Sequence, residues 1–364
     1  MVRSKAAQIS IFSKVGWLKP DYFIRKSLHQ IIAAYFDVAK IEVEQMNQYI
    51  SVILCTHNPR KEYLARALDS LKVQTLSAHQ WEFLFIDNLS NETLSDHWDL
   101  SWHGHARHIR EEELGLTAAR LRGIRESTGD LIVFIDDDNV LDHRFLSEAQ
   151  KIFENCKHLG VFGAGRIEPE FENSPTEEVR PKLHLLALRS VVSDMWSNNP
   201  SDSRCTPWGA GLCVSRQVAC AYIELIQRLN VTSALGRRGS HLLSGEDDLF
   251  SRASVQTGLG FGIFPELALT HLISSSRLEP DYLVRLVEGH AFSHAVMDYM
   301  LSADMPAVEN AARYVVRSLL HKVKNGRFSM RCQQAARRGS KRAIEYIREH
   351  DLRPVKPGSF VLVP

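Results

Sequence analysis

The residues best placed to do chemistry gather in "DLIVFIDDDNVL", residues 130–141. The apolar run 131–135 reads as a buried strand. It stops abruptly at Asp136, Asp137, Asp138 and Asn139. Acids at the end of a buried strand are costly unless something cationic sits beside them. Strand carboxyl ends are also where open α/β sheets bind ligands. If the chain stays extended, Asp136 and Asp138 share one face and Asp137 takes the other. Two carboxylates on one face suit a hard divalent cation, Mn²⁺ or Mg²⁺, that keeps some water and bridges to phosphates. The same residues also suit a solvated acidic turn, with Asp142 as the N-cap of the helix "HRFLSEAQKIF". Taken alone, the stretch leaves both readings open.

A second acidic cluster, Glu246, Asp247 and Asp248, follows Ser244 and Gly245. Ser244 is a candidate N-cap with Asp247 three residues on, and a helix N-terminus favours acids without any function. Two further apolar runs end in polar residues. "ISVILC", 50–55, runs into Thr56, His57, Asn58 and Pro59, and "WEFLFI", 81–86, runs into Asp87 and Asn88. A nucleotide crevice needs such strand ends. Singly, His57 also fits a turn histidine and Asp87 an Asx turn.

These residues need elements to position them. "RKEYLARALDSLKVQ" and "ELGLTAARLRGIREST" read as helices, "HARHIR" as a weak strand, and Gly129-Asp130 punctuates the chain before the central strand. Strand and helix alternate up to residue 156, which predicts a mostly parallel α/β sheet flanked by helices. "LGVFGAGRIEPEF" adds a strand, and 172–204 reads as a long loop holding a short helix. "CTPWGAGLCVSR", 205–216, reads as a strand in which Gly209 and Gly211 allow close backbone approach. Trp208 there is either an apolar wall for a sugar ring or a half-buried core residue. Residues 236–244 look flexible. Strands near "FGIFP" and "LALTHLI" follow, and His271 ends the latter.

Composition sets the frame. The 364 residues are 44% apolar, enough for a sizeable core. The formal net charge of +1 says nothing of partners, and no nucleic-acid partner is expected. Six scattered cysteines without a CxxC pair argue against zinc or a disulfide framework and for a reducing cytoplasm. No apolar run approaches the ~20 residues of a membrane span. A helical extension is expected over 1–49, an α/β domain over 50–290 and a helical basic region over 291–364. Basic residues crowd 313–342 around Val316, Leu319, Leu320 and Val323 at helical spacing. That pattern suits packing on the α/β domain, or peripheral contact with an anionic inner membrane face.

Taken in order, "SVILCTHNP", "LFIDN", "GLTAARLRGI", "FIDDDN", "PWGAGLCV" and "SGEDDLF" resemble the inverting family 2 glycosyltransferases of the GT-A fold. The resemblance runs from about residue 50 to about 290, and it implies a catalytic domain there with a nucleotide-binding half, 50–140, and an acceptor-binding half, 141–290. It implies a nucleotide-sugar donor, a divalent metal and transfer with inversion to an acceptor that is a glycan, a lipid-linked sugar or a small molecule. It places Cys55, Thr56 and His57 against the base and ribose. Asp87 then accepts from the base, in uracil-type donors from the imide N–H, so UDP- or dTDP-sugars are expected. Arg120 and Gly123 match the helix before the metal strand, with Arg120 on the donor side. Asp136 and Asp138 match the metal-and-ribose pair, with Asp138 and His271 toward the metal and Asp137 beside the donor. Arg277 reaches a phosphate. Asp247 matches the catalytic base, with Trp208, Gly209 and Glu246 on the acceptor side. Two rivals remain: a sugar-nucleotide pyrophosphorylase, which would want a glycine-rich phosphate loop where "CTHNP" stands, and a non-catalytic nucleotide-sugar-binding protein.

Overall fold

The computed structural model describes residues 49–229, 245–303, 305–306 and 311–354, without the side chains of 311–325. The helix expected before residue 49 and the flexible stretch expected at 236–244 lie outside these residues. So do Ser244 and the side chains of Val316, Leu319, Leu320 and Val323.

The strands are β1 (Ile50–Thr56), β2 (Trp81–Asn88), β3 (Ala106–Glu111), β4 (Leu131–Asp136), β5 (Asn139–Leu141), β6 (Leu159–Phe171), β7 (Arg189–Ser190), β8 (Met195–Ser197), β9 (Leu212–Ser215) and β10 (Gly260–Ile273). The helices are α1 (Lys61–Lys72), α2 (Leu116–Glu126), α3 (Phe145–Asn155), α4 (Arg216–Leu229), α5 (Glu246–Gln256), α6 (Pro280–Ser302) and α7 (Ala311–Glu349). One sheet runs in the order β3-β2-β1-β4-β9-β6-β10-β5, with β7 on β6 and β8 on β10. The β3-β2-β1-β4 half is parallel. Beyond it the sheet is mixed, because β9 runs antiparallel to both β4 and β6 while β10 runs parallel to β6. This is the expected α/β sheet flanked by helices, with an antiparallel strand at its middle that the strand–helix alternation could not reveal.

The apolar runs are continuous because both faces of the sheet are covered. Ile53, Cys55, Leu84, Ile86, Ile132 and Phe134 face one core with α2, α4, α5 and α6. Val52, Leu54, Phe83, Phe85, Val133 and Ile135 face the other with α1 and α3. Gly123 lets α2 lie close on β1: a Cβ there would come within 2.5 Å of Ile53. The two strands expected around "FGIFP" and "LALTHLI" are one strand, β10, with a register shift between Phe264 and Ala268. Residues 205–211, expected as part of a strand, are loop, and the strand begins at Leu212.

The carboxyl-terminal helix breaks at Gly326, where φ is +81°. Beyond the break it packs on α6 and shares its cores through Phe328, Cys332, Ala335, Ala343 and Ile347. Arg338 and Arg342 bind Glu288 at 2.9 and 3.2 Å, and Arg331 binds Asp281. The described part of the basic region is therefore docked on the rest of the fold, its arginines answering acids of α6. Among the described residues no helix is long and apolar enough to cross a membrane.

Candidate active site

Parallel register brings the strand ends together. Thr56 stands opposite Asp87, Cys55 opposite Asp136, and Asp87 opposite Arg110 on β3. One crevice edge thus collects residues separated by tens of positions in sequence.

The turn after β4 sends its three acids in three directions. Extended backbone ends at Asp136, and Asp137–Asp138 form a turn into β5, so the period-two argument stops one residue too early for Asp136 and Asp138 to share a face. The Asn139 side chain closes the turn, accepting from the Asp136 N–H at 3.2 Å and donating to Asp138 Oδ1 at 2.9 Å. Asp137 turns back and accepts from the Thr56 hydroxyl. Burial and the neighbouring Asp138 push its carboxyl well up from the usual range. Asp138 Oδ2 accepts from Arg277 Nη1 at 2.6 Å and lies 3.3 Å from His271 Nε2. Asp136 lies 4.0 Å from Arg120. Asp142 does not cap α3 directly. Its carboxylate takes the Arg144 N–H at 3.0 Å, and the helix starts at Phe145.

Arg120 is the hinge between the two acidic clusters. It is 2% exposed, lies over the Phe134 ring, and meets Glu246 and Asp247 at 3.3 Å each. Its guanidinium is held firmly charged by those acids against the cost of burial. Helix α5 opens with Gly245 at φ +96°, which aims Glu246 and Asp247 inward. Glu246 is buried and accepts from the Tyr222 hydroxyl at 2.8 Å. Burial raises its carboxyl above the ordinary value, since one guanidinium cannot neutralise all the acids around it. Asp247 remains 31% exposed. Its Oδ2 accepts the Gly209 N–H at 2.9 Å and its Oδ1 accepts from Arg120. Gly209 must be glycine here, because a Cβ would come within 2.5 Å of Arg120 and 3.1 Å of Asp247.

On the other side of the crevice, Asp87 is buried and already engaged. It accepts from the Ser90 N–H at 2.9 Å and from Arg110 Nη1 at 2.6 Å. The His57 ring is fixed, with Nδ1 donating to the Asn88 carbonyl at 2.8 Å and Nε2 accepting from Asn58 Nδ2 at 3.0 Å. Cys55 lies beneath the acids rather than at the surface, and burial pushes its thiol far up. Trp208 has Arg189 stacked 3.7 Å over its ring, so one indole face is covered.

The structure thus groups Asp136, Arg120, Glu246, Asp247 and Gly209 in one network, and Asp138, His271 and Arg277 in another. Three residues that the sequence reading did not single out belong here: Arg110, Tyr222 and Arg189. Arg110 was findable, since β2 and β3 end together in parallel register and place it beside Asp87. Tyr222 and Arg189 carry no local signal, because each meets the site from a distant segment.

Residues 51–196 match the family model described as glycosyl transferase family 2. A glucosyl-dolichyl phosphate glucuronosyltransferase of Haloferax volcanii is 22% identical over 256 residues, covering 69% of this chain and 78% of the relative. The glycosyltransferase AglE of the same organism is 22% identical over 213 residues, covering 58% of this chain and 62% of the relative. Among solved structures, S. aureus TarS 1–349 aligns with a TM-score of 0.42 at 14% identity, over 83% of this chain and 92% of that one. The same protein in complex with UDP-GlcNAc gives 0.42 at 13% identity, with the same coverage.

Proposed function

We propose that the chain, a family 2 glycosyltransferase over residues 51–196, transfers a sugar from a UDP- or dTDP-linked donor to an acceptor hydroxyl with inversion. The observation that carries this reading is Asp247: a part-exposed carboxylate held from two sides by the Gly209 N–H and by Arg120, which also lies 4.0 Å from the strand-end acid Asp136. A positioned carboxylate within hydrogen-bond reach can take the proton of an attacking hydroxyl. Glu246, deeper and bonded to Tyr222, supports Arg120 rather than the acceptor.

The donor base is read by the Asp87–Arg110 pair. A uracil or thymine ring presents carbonyl oxygens beside its imide N–H, and a guanidinium beside a carboxylate complements that edge. Asp137, tied to Thr56, braces the floor beneath the ribose.

A divalent cation fits Asp138 and His271. Arg277 Nη1 donates to Asp138 Oδ2 at 2.6 Å and to His271 Nε2 at 3.0 Å, so an oxygen and an imidazole lone pair converge on one point. Such a donor pair suits Mn²⁺ or Mg²⁺ completed by water and diphosphate oxygens. Among the described residues no set of three or more His, Cys, Asp or Glu side chains is grouped to hold a metal, so solvent and donor oxygens would have to supply the remaining positions. A cation bound there would offset the negative charge of the departing diphosphate. Arg277, on a short turn after β10, is placed to do the same by charge and hydrogen bonds. The name of the glucosyl-dolichyl phosphate glucuronosyltransferase makes a lipid-linked sugar the acceptor class to try first.

Calorimetry across UDP-, dTDP-, CDP- and GDP-sugars with Mn²⁺ should rank the first two tightest, and a GDP-sugar at the top would overturn the base assignment. Asp247→Asn should retain donor affinity and lose transfer by ~10²-fold or more. Full transfer by this variant would remove Asp247 from the role.

A further inference from the structure

Arg189 is unlike the other arginines of the crevice. Arg120 and Arg277 each contact a carboxylate. Arg189 has none within ion-pair distance among the described residues. One of its N–H groups goes to the Thr206 carbonyl at 2.9 Å, and its flat face rests 3.7 Å from the Trp208 ring. Packing strips water from it and lowers its pKa to about 10, and the carboxylate whose charge acts back on it is Asp247. Leaving a half-buried cation without a counter-ion costs free energy that a bound anion would recover.

The geometry says where such an anion would sit. A guanidinium stacked by its face keeps its in-plane N–H donors for a partner at its edge, and that planar fork matches carboxylate and phosphate oxygens. Residues 206–209 run from the carbonyl that holds Arg189, past Trp208, to the N–H that holds Asp247. The fork and the base are therefore the two ends of one short segment. Strand β7, which carries Arg189, is pinned to β6 by the pairing of Arg189 with Ile167, so the fork is built on the sheet rather than on a free loop.

We propose that Arg189, stacked on Trp208, is an oxyanion subsite next to Asp247, receiving a carboxylate or phosphate of the sugar substrates during transfer. This rests on the reading of Asp247 as the base, and it adds that one reacting partner is anionic close to the bond being made. The shared chemistry has two sources: a uronate carboxylate on the transferred sugar, or a phosphate on the acceptor. Trp208 then serves as the platform that holds the fork, rather than as a bare wall for a sugar ring.

Calorimetry of the full chain with Mn²⁺ separates the sources. UDP-glucuronate is compared with UDP-glucose, and inorganic phosphate is titrated with and without UDP. A donor-side anion predicts that UDP-glucuronate binds about tenfold or more tighter than UDP-glucose, the usual worth of a charge-assisted pair. An acceptor-side anion predicts phosphate binding in the presence of UDP. Either preference should vanish in Arg189→Gln and partly survive in Arg189→Lys, while affinity for UDP stays unchanged. Absence of both preferences in the wild-type chain overturns the proposal without any variant, and so does a preference that survives Arg189→Gln. Failure of UDP itself to bind would count against the donor reading above, while phosphate titrated without nucleotide still tests the subsite.

Discussion

Each of the two acidic clusters is met by an arginine, and the two arginines are held in opposite ways. Arg120 projects from the middle of α2 and is enclosed on every side: Glu246 and Asp247 at 3.3 Å, Asp136 at 4.0 Å, and the Phe134 ring. Arg277 sits in the short 3₁₀ turn Ser275–Leu278 and meets one carboxylate, Asp138, together with the His271 ring and the neighbouring Tyr282. The first cation is shared among acids and embedded in a helix that crosses the sheet closely. The second occupies the point on which two metal-type donors converge, at the end of a strand. Opposite charges in contact therefore mean two different things here. One pair set is scaffold around Asp247, and the other is, in the function proposed above, a position that Arg277 would yield to a divalent cation.

The largest test of that contrast removes the scaffold. Arg120→Met leaves buried Glu246 and the neighbouring acids without their cation, and breaking a buried charge network in this way costs about 3–5 kcal/mol. Urea unfolding measures it, and a loss below about 1 kcal/mol would show that Arg120 is not the keystone described. A smaller effect is expected at the other arginine. Arg277→Ala should leave urea stability changed far less, and should tighten Mn²⁺ binding without donor by about tenfold, because the competing guanidinium is gone. Calorimetry with Mn²⁺ alone reads this directly. Unchanged metal affinity in Arg277→Ala would break the comparison at that end.

The smallest effect sharpens it through pH. Burial raises the Glu246 carboxyl above its unfolded value. Between the ordinary carboxylate range and that raised value, the folded chain holds a proton the unfolded chain has released. Stability from this group is therefore fully present at low pH and is lost as pH rises through the folded value. Glu246→Gln cannot titrate, so its melting temperature should decline less than that of the wild type as the pH rises above the ordinary carboxyl value of 4.5. Parallel profiles for the two proteins would show that Glu246 is already ionised beside Arg120.

Much of this was legible in residue order. Runs such as "ISVILC" and "WEFLFI" are apolar at every position, which a chain keeps when both strand faces are buried, and each stops at a polar residue of the crevice. Asp247 and Asp138 were legible as candidates because acids crowd where an apolar run ends or a helix begins. The pairing of Asp136 with Asp138 on one face was not, because the alternation that predicts it holds for extended backbone, and the chain turns at Asp137.

By itself, the sequence determined that the apolar runs 50–55, 81–86 and 131–135 are buried strands and which residue types stand at their ends, because burial and backbone period are local properties. Only the tertiary structure decided which charge answers which. Arg120 and Asp247 are 127 positions apart, and Arg277 and Asp138 are 139 apart. No propensity spans such distances. What joins them is parallel register at one edge of the sheet, the close crossing of α2 over β1 at Gly123, and the long strand β10 that returns His271 and Arg277 to the turn after β4.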